Sequence, residues 1–154
     1  PKQDKFDLGP IPTSERTKKI FQKSVLRNQA EAKKDICYRW NIFLKESGET
    51  IGWMDISTIQ RHPLNMANFG YFILNRHRKK GYASEAADVL VRAGLRDLKF
   101  HRLEAVIDLD NRRSIRLVRK LGFYREGVRK HYWYQNGRWE DQVVFIATPE
   151  LFKR

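Results

Sequence analysis

The period of the hydrophobic pattern changes along the chain, and this change restricts the fold more than any other feature of the sequence. In residues 36–74, apolar side chains largely alternate with polar ones, which is the period of a strand. In residues 82–98 they recur every three or four positions, which is the period of a helix. Both periods return in the second half of the chain. The sequence therefore predicts an α+β fold.

The predicted elements follow one another in the order α, β, β, β, α, β, α, β, β. A first helix at 16–34, capped by Thr13 or Ser14, precedes three strands whose short connections favour an antiparallel meander. Strand, helix and strand then follow in direct order, which predicts a right-handed parallel crossover. The predicted strands cover residues 36–45, 51–59, 68–74, 102–109, 128–134 and 138–147, and the two later helices cover 82–98 and 111–121. Gly52 is a candidate bulge in the second strand, and the aromatic residues at alternating strand positions are expected mostly in the core: Trp40, Trp53, Tyr71 and Phe72.

Two short motifs mark the ends of the later elements. Gly122 stands where a helix often ends in the left-handed conformation, and Phe123 supplies the hydrophobic contact of that motif. Asn136-Gly137 is a strong hairpin signal. No repeat, low-complexity segment or linker is visible, so residues 1–154 are expected to form one domain on a mixed sheet flanked by helices.

Basic residues are in excess and are unevenly distributed. The chain has 31 Lys and Arg against 18 Asp and Glu, a net charge of +13, and residues 75–130 alone carry 16 basic and 7 acidic side chains. This predicts an anionic partner for the middle of the chain, either nucleic acid, a polyphosphate cofactor or both. Small polycations are unlikely substrates on this basis, since a site for them should be acidic.

Composition also excludes several classes of protein. A single cysteine, Cys37, excludes an internal disulfide framework and multi-cysteine zinc sites, and the four histidines show no ligand spacing, so no metal is expected. The longest apolar runs are far shorter than a membrane span, and no secretory signal is visible. We therefore expect no membrane association and a reducing, cytoplasmic location.

The most informative segment, residues 75–83, leaves a strand and enters a helix. Backbone N–H groups at a helix N-terminus bind anions, and Gly81 lets a phosphate approach the backbone closely. Basic side chains surround it: Arg76, Arg78, Lys79 and Lys80. Neither GxxxxGK[ST] nor GxGxxG is present. The alternative is a solvated basic turn before an ordinary helix.

Residues 78–83, RKKGYA, resemble the R/Q-x-x-G-x-G/A acyl-CoA pyrophosphate loop of the GNAT superfamily of N-acetyltransferases. The strand before this loop, the pattern Asn111-x-x-Ser114 and the helix end at 120–123 resemble the same family. The hairpin around Asn136-Gly137 resembles that of the ribosomal-protein alanine N-acetyltransferase (Rim type) branch. Together these likenesses cover residues 36–148.

The resemblance implies a central sheet that splays between the strands at 68–74 and 102–109, with acetyl-CoA as acetyl donor in the opening. The backbone of residues 72–74 would bind the pantetheine arm, and residues 79–83 the pyrophosphate. Arg116 and Arg119 would reach the outer 3′-phosphate. The implied cofactor contacts are Phe72, Ile73, Leu74, Arg78, Lys79, Lys80, Gly81, Tyr82, Ala83, Asn111, Ser114 and Arg119.

The implied reaction is direct attack of a neutral amine on the thioester, without an acyl-enzyme. Glu104 is the first candidate for the base, and the alternative is an ion pair with a neighbouring arginine. Many family members carry a Tyr as acid where this chain has Val118, so Ser114 is the candidate donor to the sulfur; the alternative is a bond to its own helix backbone. Trp133 stands where some Rim-type members have a Glu.

We expect an N-acetyltransferase for a protein or peptide N-terminal amine, a substrate that rests on the branch resemblance alone. Free amino acids, aminoglycosides and other amines stay open as acceptors. A basic surface suits contact with ribosomal RNA. The alternatives are a basic nucleic-acid- or ribosome-binding module, and a GNAT fold that binds the cofactor without transfer. A monomer or a homodimer is expected.

Overall fold

The computed structural model describes residues 15–152 of the chain, and their side chains from residue 23 onward. The helices are α1 (Glu15–Lys33), α2 (Tyr82–Arg96) and α3 (Arg112–Leu121), with a short 3₁₀ turn at Asn75–His77. The strands are β1 (Tyr38–Phe43), β2 (Thr50–Gln60), β3 (Met66–Ile73), β4 (Arg102–Asp108), β5 (Tyr124–Gln135) and β6 (Arg138–Ala147). The predicted α+β class and element order are confirmed. The predicted caps Thr13 and Ser14 lie outside the described residues, and the single domain over 1–154 stays a prediction.

The six strands form one mixed sheet in the order β1-β2-β3-β4-β6-β5. β3 and β4 are parallel, joined by the crossover through α2, while the other neighbours are antiparallel. The β5–β6 hairpin turns at Asn136 and Gly137, which both have positive φ (52° and 80°), as the type I′ two-residue turn requires. The predicted meander, crossover and hairpin are therefore present.

One face of α2 packs on the sheet and brings the N-terminus of this helix to the edge of the core. Ala87, Leu90 and Val91 are buried at helical spacing. At Gly94 an added Cβ would lie 2.8 Å from side-chain atoms of Ile56 and Leu103, so the close approach of helix and sheet depends on this glycine. No described helix is both long and apolar enough to cross a membrane.

α3 ends as the sequence predicts. Gly122 has φ +90°, and its N–H donates to the carbonyls of Val118 and Arg119. Phe123 is buried beyond it, and its N–H donates to the Val118 carbonyl at 3.0 Å. The motif fixes the direction in which the chain leaves α3 and enters β5.

The parallel pair β3 and β4 opens after three residues. Met66 pairs with Arg102, Ala67 with Leu103 and Asn68 with Glu104, and no further pairs follow. Beyond this point β3 stays paired with β2 up to Ile73, while β4 stays paired with β6 up to Asp108. Each strand therefore follows its antiparallel neighbour, and the predicted splay is confirmed.

Three details differ from the sequence expectation. β5 begins at Tyr124 rather than near 128, because a register shift between Arg125 and Gly127 lets the strand continue across the irregularity. The bulge expected at Gly52 involves the adjacent Ile51, which is skipped between two pairs with β1. Trp40, expected in the core, is 40% exposed because β1 is an edge strand.

Candidate active site

The turn after β3 presents unpaired backbone N–H groups. Gly81 is the N-cap of α2 with φ +90° and ψ −18°, and no side chain caps this helix. Lys79 is also left-handed, with φ +65°. Successive N–H groups in such a turn form a concave site for an anion, to which the helix dipole adds. An added Cβ at Gly81 would meet open space, so its φ, rather than crowding, is what requires glycine here.

A first cavity of about 620 Å³ lies between this turn and α3. Its volume is in the range of sites for small molecules and cofactors. Five cationic side chains line it, and none of the described lining residues is Asp or Glu. The five are Arg78, Lys79, Arg113, Arg116 and Lys120. The combination of cations and helix N–H groups fits a ligand that carries several phosphates, as coenzyme A does.

Nine of the residues implied as cofactor contacts line this cavity: Phe72, Ile73, Arg78, Lys79, Gly81, Tyr82, Ala83, Asn111 and Ser114. Leu74, Lys80 and Arg119 do not. Leu74 is buried in the core, and Lys80 is exposed to solvent beside the turn. The Arg119 guanidinium lies 5.8 Å from the centre of the Phe145 ring, since it projects about 100° around the helix from Lys120. Arg116, which was expected beside Arg119, does line the cavity, and Arg113 and Lys120 line it where Arg119 does not.

Two backbone groups that the resemblance assigns to pantetheine have partners within the chain. The Leu74 N–H donates to the Ile51 carbonyl at 2.9 Å, and the Ile73 carbonyl accepts from Arg78 Nε at 2.8 Å. Since backbone N–H groups alternate in direction along a strand, those of Tyr71 and Ile73 point away from β2 and into the opening. These two groups, rather than the Leu74 N–H, face the space between β3 and β4.

A second cavity of about 340 Å³ lies within the opening, between β3, β4 and the β5–β6 hairpin. Asp108 is the single charged residue among the described residues that line it. Tyr71, Asn111 and Ser114 line both cavities. The two cavities therefore meet at the N-terminus of α3.

Ser114 is held at this junction by two contacts. Its backbone N–H donates to Asn111 Oδ1 at 3.2 Å, so Asn111 is the predicted helix cap. Its hydroxyl accepts from the Tyr71 hydroxyl at 2.9 Å. Burial raises the pKa of Tyr71 above its ordinary value, against the opposing effect of the bond to Ser114, so Tyr71 stays protonated at neutral pH. Because Ser114 accepts this bond, its own proton is available for donation.

Glu104 lines neither cavity. It is 1% exposed, Oε1 accepts from Arg102 Nη2 at 2.6 Å, and Oε2 accepts from Arg129 Nη2 at 2.7 Å. It lies where β3 and β4 are still paired, opposite Asn68. This placement favours the alternative of an ion pair with neighbouring arginines, although the pair is buried rather than on the surface.

Two further titratable side chains, Asp141 and His101, are engaged away from both cavities. Asp141 accepts from Lys130 Nζ at 2.7 Å and from the His131 N–H at 2.9 Å, and the Lys130 bond lowers the pKa of Asp141. It thus ties β6 to the irregular part of β5. His101 lies 3.2 Å from Glu150 on the surface. No group of three or more potential metal-ligating side chains occurs among residues that the structure describes.

Sequence reasoning missed seven residues at the first cavity: Trp53, Tyr71, His77, Ser84, Arg113, Leu117 and Lys120. Tyr71 was expected in the core because it alternates with the other aromatic residues of β3. Alternation identifies which residues share a face of the strand. It does not show that α3 crosses that face and brings Ser114 to Tyr71. His77 lies in the segment 75–83 but before the RKKGYA match, and the 3₁₀ turn positions it, with Nε2 3.2 Å from Glu49 Oε1.

A mixed sheet that opens between two parallel strands, with a cationic glycine turn beside the opening, is the architecture of the N-acetyltransferase class. The Acetyltransferase (GNAT) domain family matches residues 1–124. The chain belongs to this family. The expected family and an enzyme of the acyltransferase type are thereby confirmed.

Individual relatives carry several names. The chain is 35% identical over 130 residues to the probable N-acetyltransferase YjcK of Bacillus subtilis, covering 84% of this chain and 72% of the relative. It is 30% identical over 119 residues to the ribosomal protein uS5-alanine N-acetyltransferase of Escherichia coli, covering 77% and 61%. A spermidine N(1)-acetyltransferase of E. coli is 30% identical over 96 residues, covering 62% and 51%. The chain thus spans less than two thirds of the length of the last two.

Among solved structures, the Mycobacterium smegmatis RimJ in complex with CoA-disulfide superposes with a TM-score of 0.79 and 25% identity. The match covers 87% of this chain and 63% of that protein. The structural neighbour was therefore solved with a coenzyme A compound, in agreement with the expectation that this family uses acetyl-CoA.

Proposed function

We propose that the protein transfers the acetyl group of acetyl-CoA to an N-terminal α-amine of a protein or peptide. The observation that carries the proposal is the meeting of two cavities of different charge at Ser114. One cavity is lined by cations and suits the phosphates of the donor, and the other holds a carboxylate and suits an amine. Bringing two substrates together at one point supplies a large part of the acceleration in a transfer of this kind.

The first cavity supplies the donor site in this proposal. The turn at Lys79 and Gly81 binds the pyrophosphate, and the cations of α3 bind the outer phosphate. The N–H groups of Tyr71 and Ile73 face the opening and are placed to stabilise an oxyanion. Acetyl-CoA, when bound, supplies the thioester carbonyl that the amine attacks.

Ser114 and Tyr71 act as the acid. The Ser114 hydroxyl donates its proton to the leaving sulfur, and the Tyr71 hydroxyl replaces that proton through the hydrogen bond between them. The amine must also lose a proton before it attacks. Glu104, the first candidate for this role, binds two arginines away from both cavities, so we assign it a positioning role for β4 and β5. The amine instead releases its proton to water in the second cavity, and the Tyr71 oxygen takes a proton back from solvent after the thiol has left.

The acceptor class is supported by the name of the E. coli alanine N-acetyltransferase and by the lining of the second cavity. A polyamine acceptor is the second candidate, since a spermidine acetyltransferase is also among the relatives. The single acid in the second cavity favours an amine of low charge over a polyamine. Contact with RNA through the basic surface, and a monomeric or homodimeric state, stay predictions.

A transfer assay tests the proposal. The purified protein is incubated with acetyl-CoA and a peptide that begins with a free alanine, and thiol release and peptide mass are followed. We expect one acetyl group per peptide, at the α-amine, and none on the same peptide with a blocked N-terminus. Calorimetry with coenzyme A separates the alternatives. Binding without transfer to any amine indicates a fold that binds the donor only, and absence of binding would overturn the donor site.

A further inference from the structure

The end of β4 carries a carboxylate into the second cavity. Asp108 is the last residue of β4, and its carbonyl accepts from the Asn111 N–H at 3.0 Å. Asn111 in turn caps α3 at Ser114. A single tight turn therefore connects the carboxylate of the second cavity to the hydroxyl at the junction of the two cavities. This connection fixes Asp108 relative to the point where transfer is proposed.

The Asp108 side chain is oriented by an amide rather than neutralised by a cation. Oδ1 accepts from Gln142 Nε2 at 2.5 Å, and Gln142 is a buried residue that pairs with Asp108 in the β4–β6 ladder. Among the described residues, no Lys, Arg or His forms an ion pair with Asp108. In contrast, Asp35, Asp55, Asp88 and Glu104 each bind an arginine. In a chain of net charge +13, a carboxylate without a cationic partner is an attractive site for an ammonium group.

The other described walls of the second cavity are uncharged. They include the amides of Asn68 and Gln135 and the aromatic rings of Tyr132 and Trp133. One carboxylate neutralises one ammonium group. A second positive charge in this space would find no described counter-ion and would be repelled by the excess of basic residues.

We propose that Asp108 binds the ammonium group of the acceptor. This reacting amine carries the one positive charge that the acceptor places in the second cavity. The inference rests on the proposed function, because it assigns the acceptor to the second cavity. It selects an N-terminal α-amine followed by uncharged residues over a polyamine. Asp108 is thus a binding residue for the acceptor, distinct from the Ser114–Tyr71 pair that serves the leaving group.

Direct binding tests this inference independently of turnover. The probe is alaninamide, which carries one ammonium group, titrated calorimetrically into the complex of the protein with coenzyme A. Spermidine is titrated in the same way. The variant is Asp108→Asn, which keeps the shape and an acceptor for the Gln142 amide but removes the charge. The matched control is Asp97→Asn, an exposed residue at the C-terminal end of α2 that lines neither cavity.

We expect alaninamide to bind the unmodified protein and to bind Asp108→Asn at least 10-fold more weakly, with no change for Asp97→Asn. Affinity of the unmodified protein should fall with added salt, and that of Asp108→Asn should be nearly insensitive to salt. Spermidine should bind the unmodified protein more weakly than alaninamide. In turnover, Asp108→Asn should raise KM for the amine far more than it lowers kcat, while the Kd of coenzyme A and the melting temperature stay unchanged.

The two proposals fail in different ways. If alaninamide binds in an Asp108-dependent manner but is never acetylated, the transfer proposal fails and the binding site stands. If alaninamide does not bind, or binds equally to both proteins, or if spermidine binds more tightly, the inference about Asp108 is wrong whatever the transfer assay shows.

Discussion

Tyr71 and Ser114 form the hydrogen bond at which the two cavities meet, although 43 residues separate them in the chain. Ser114 could be predicted because its spacing from Asn111 resembles a family motif and the cap geometry fixes it locally. Tyr71 could not, since its role depends on which helix crosses β3. The same limit applies in part to Glu104: Arg102 is its neighbour on β4, as the sequence already shows, but its second partner, Arg129, depends on how β5 packs.

The first prediction at the scale of single residues concerns the proposed proton donors, Ser114 and Tyr71. Ser114→Ala should lower kcat by about 100-fold, within the range for loss of an acid–base group, and leave the Kd of coenzyme A unchanged. Tyr71→Phe should lower kcat less, by about 10-fold, because the serine proton remains. Steady-state kinetics and calorimetry measure both effects. Unchanged turnover in Ser114→Ala would reduce this residue to a structural role in α3.

A second residue-scale prediction concerns Glu104. Glu104→Gln should lower the free energy of unfolding by about 2–3 kcal/mol, since two partly buried arginines lose their charged partner. The folded fraction should retain most of its kcat. Urea unfolding and turnover per folded molecule measure the two quantities. The control is Glu31→Gln, a partly exposed acid whose ion pair, 3.7 Å long, is with Arg27 of the same helix. A large loss of kcat without destabilisation would restore Glu104 as the catalytic base.

At the scale of elements, β3, the turn at Lys79 and Gly81, and α2 together position backbone N–H groups beside the opening of the sheet. Strand and helix could be predicted from periodicity, and the turn and the left-handed residues at Gly122 and at the hairpin from short local motifs. The divergence of β3 from β4 could not be derived from periodicity, because both strands have ordinary strand patterns. It follows from which neighbour each strand continues to pair with, and only the family resemblance predicted it.

The turn itself can be tested by substitution. Gly81→Glu should weaken coenzyme A binding at least 100-fold, because it places a carboxylate among the N–H groups meant for phosphate. It should also cost about 1 kcal/mol of stability from the positive φ. Gly48→Glu, at another left-handed glycine with open space around it, is the matched control and should show the stability loss alone. Equal coenzyme A affinity in the two variants would place the phosphate site elsewhere.

At the scale of the whole molecule, the charge is segregated between the two cavities. The overall excess of basic residues was visible in the sequence and predicted an anionic ligand. The distribution of charge between the cavities could not be predicted, because Asp108, the acid of the second cavity, lies in the same basic stretch of chain as the cations of the first cavity. Only the fold separates Asp108 from Arg113, Arg116 and Lys120.

The paired acids predict how stability depends on pH. Hydrogen bonds from Arg61 and Arg102 lower the pKa values of Asp35 and Glu126 below 3.8 and 4.5 in the folded protein. Their stabilisation is therefore fully present above these ordinary values and is lost as the pH falls through the lowered ones. Urea unfolding between pH 7 and pH 3 should show a constant free energy down to about pH 5 and a decline below it. Asp35→Asn should make that decline shallower; an equally steep decline would contradict the assignment.

Because Tyr71, Asn111 and Ser114 belong to the walls of both cavities, the proposed donor and acceptor sites adjoin each other. One inhibitor that covalently joins coenzyme A to an alanine amide through a short tether would occupy both sites. Such a bisubstrate compound should bind far more tightly than either half, since the second half is held at a high effective concentration. The tether length of the compound that binds most tightly would then report the distance between the two bound reactants, without a measurement of turnover.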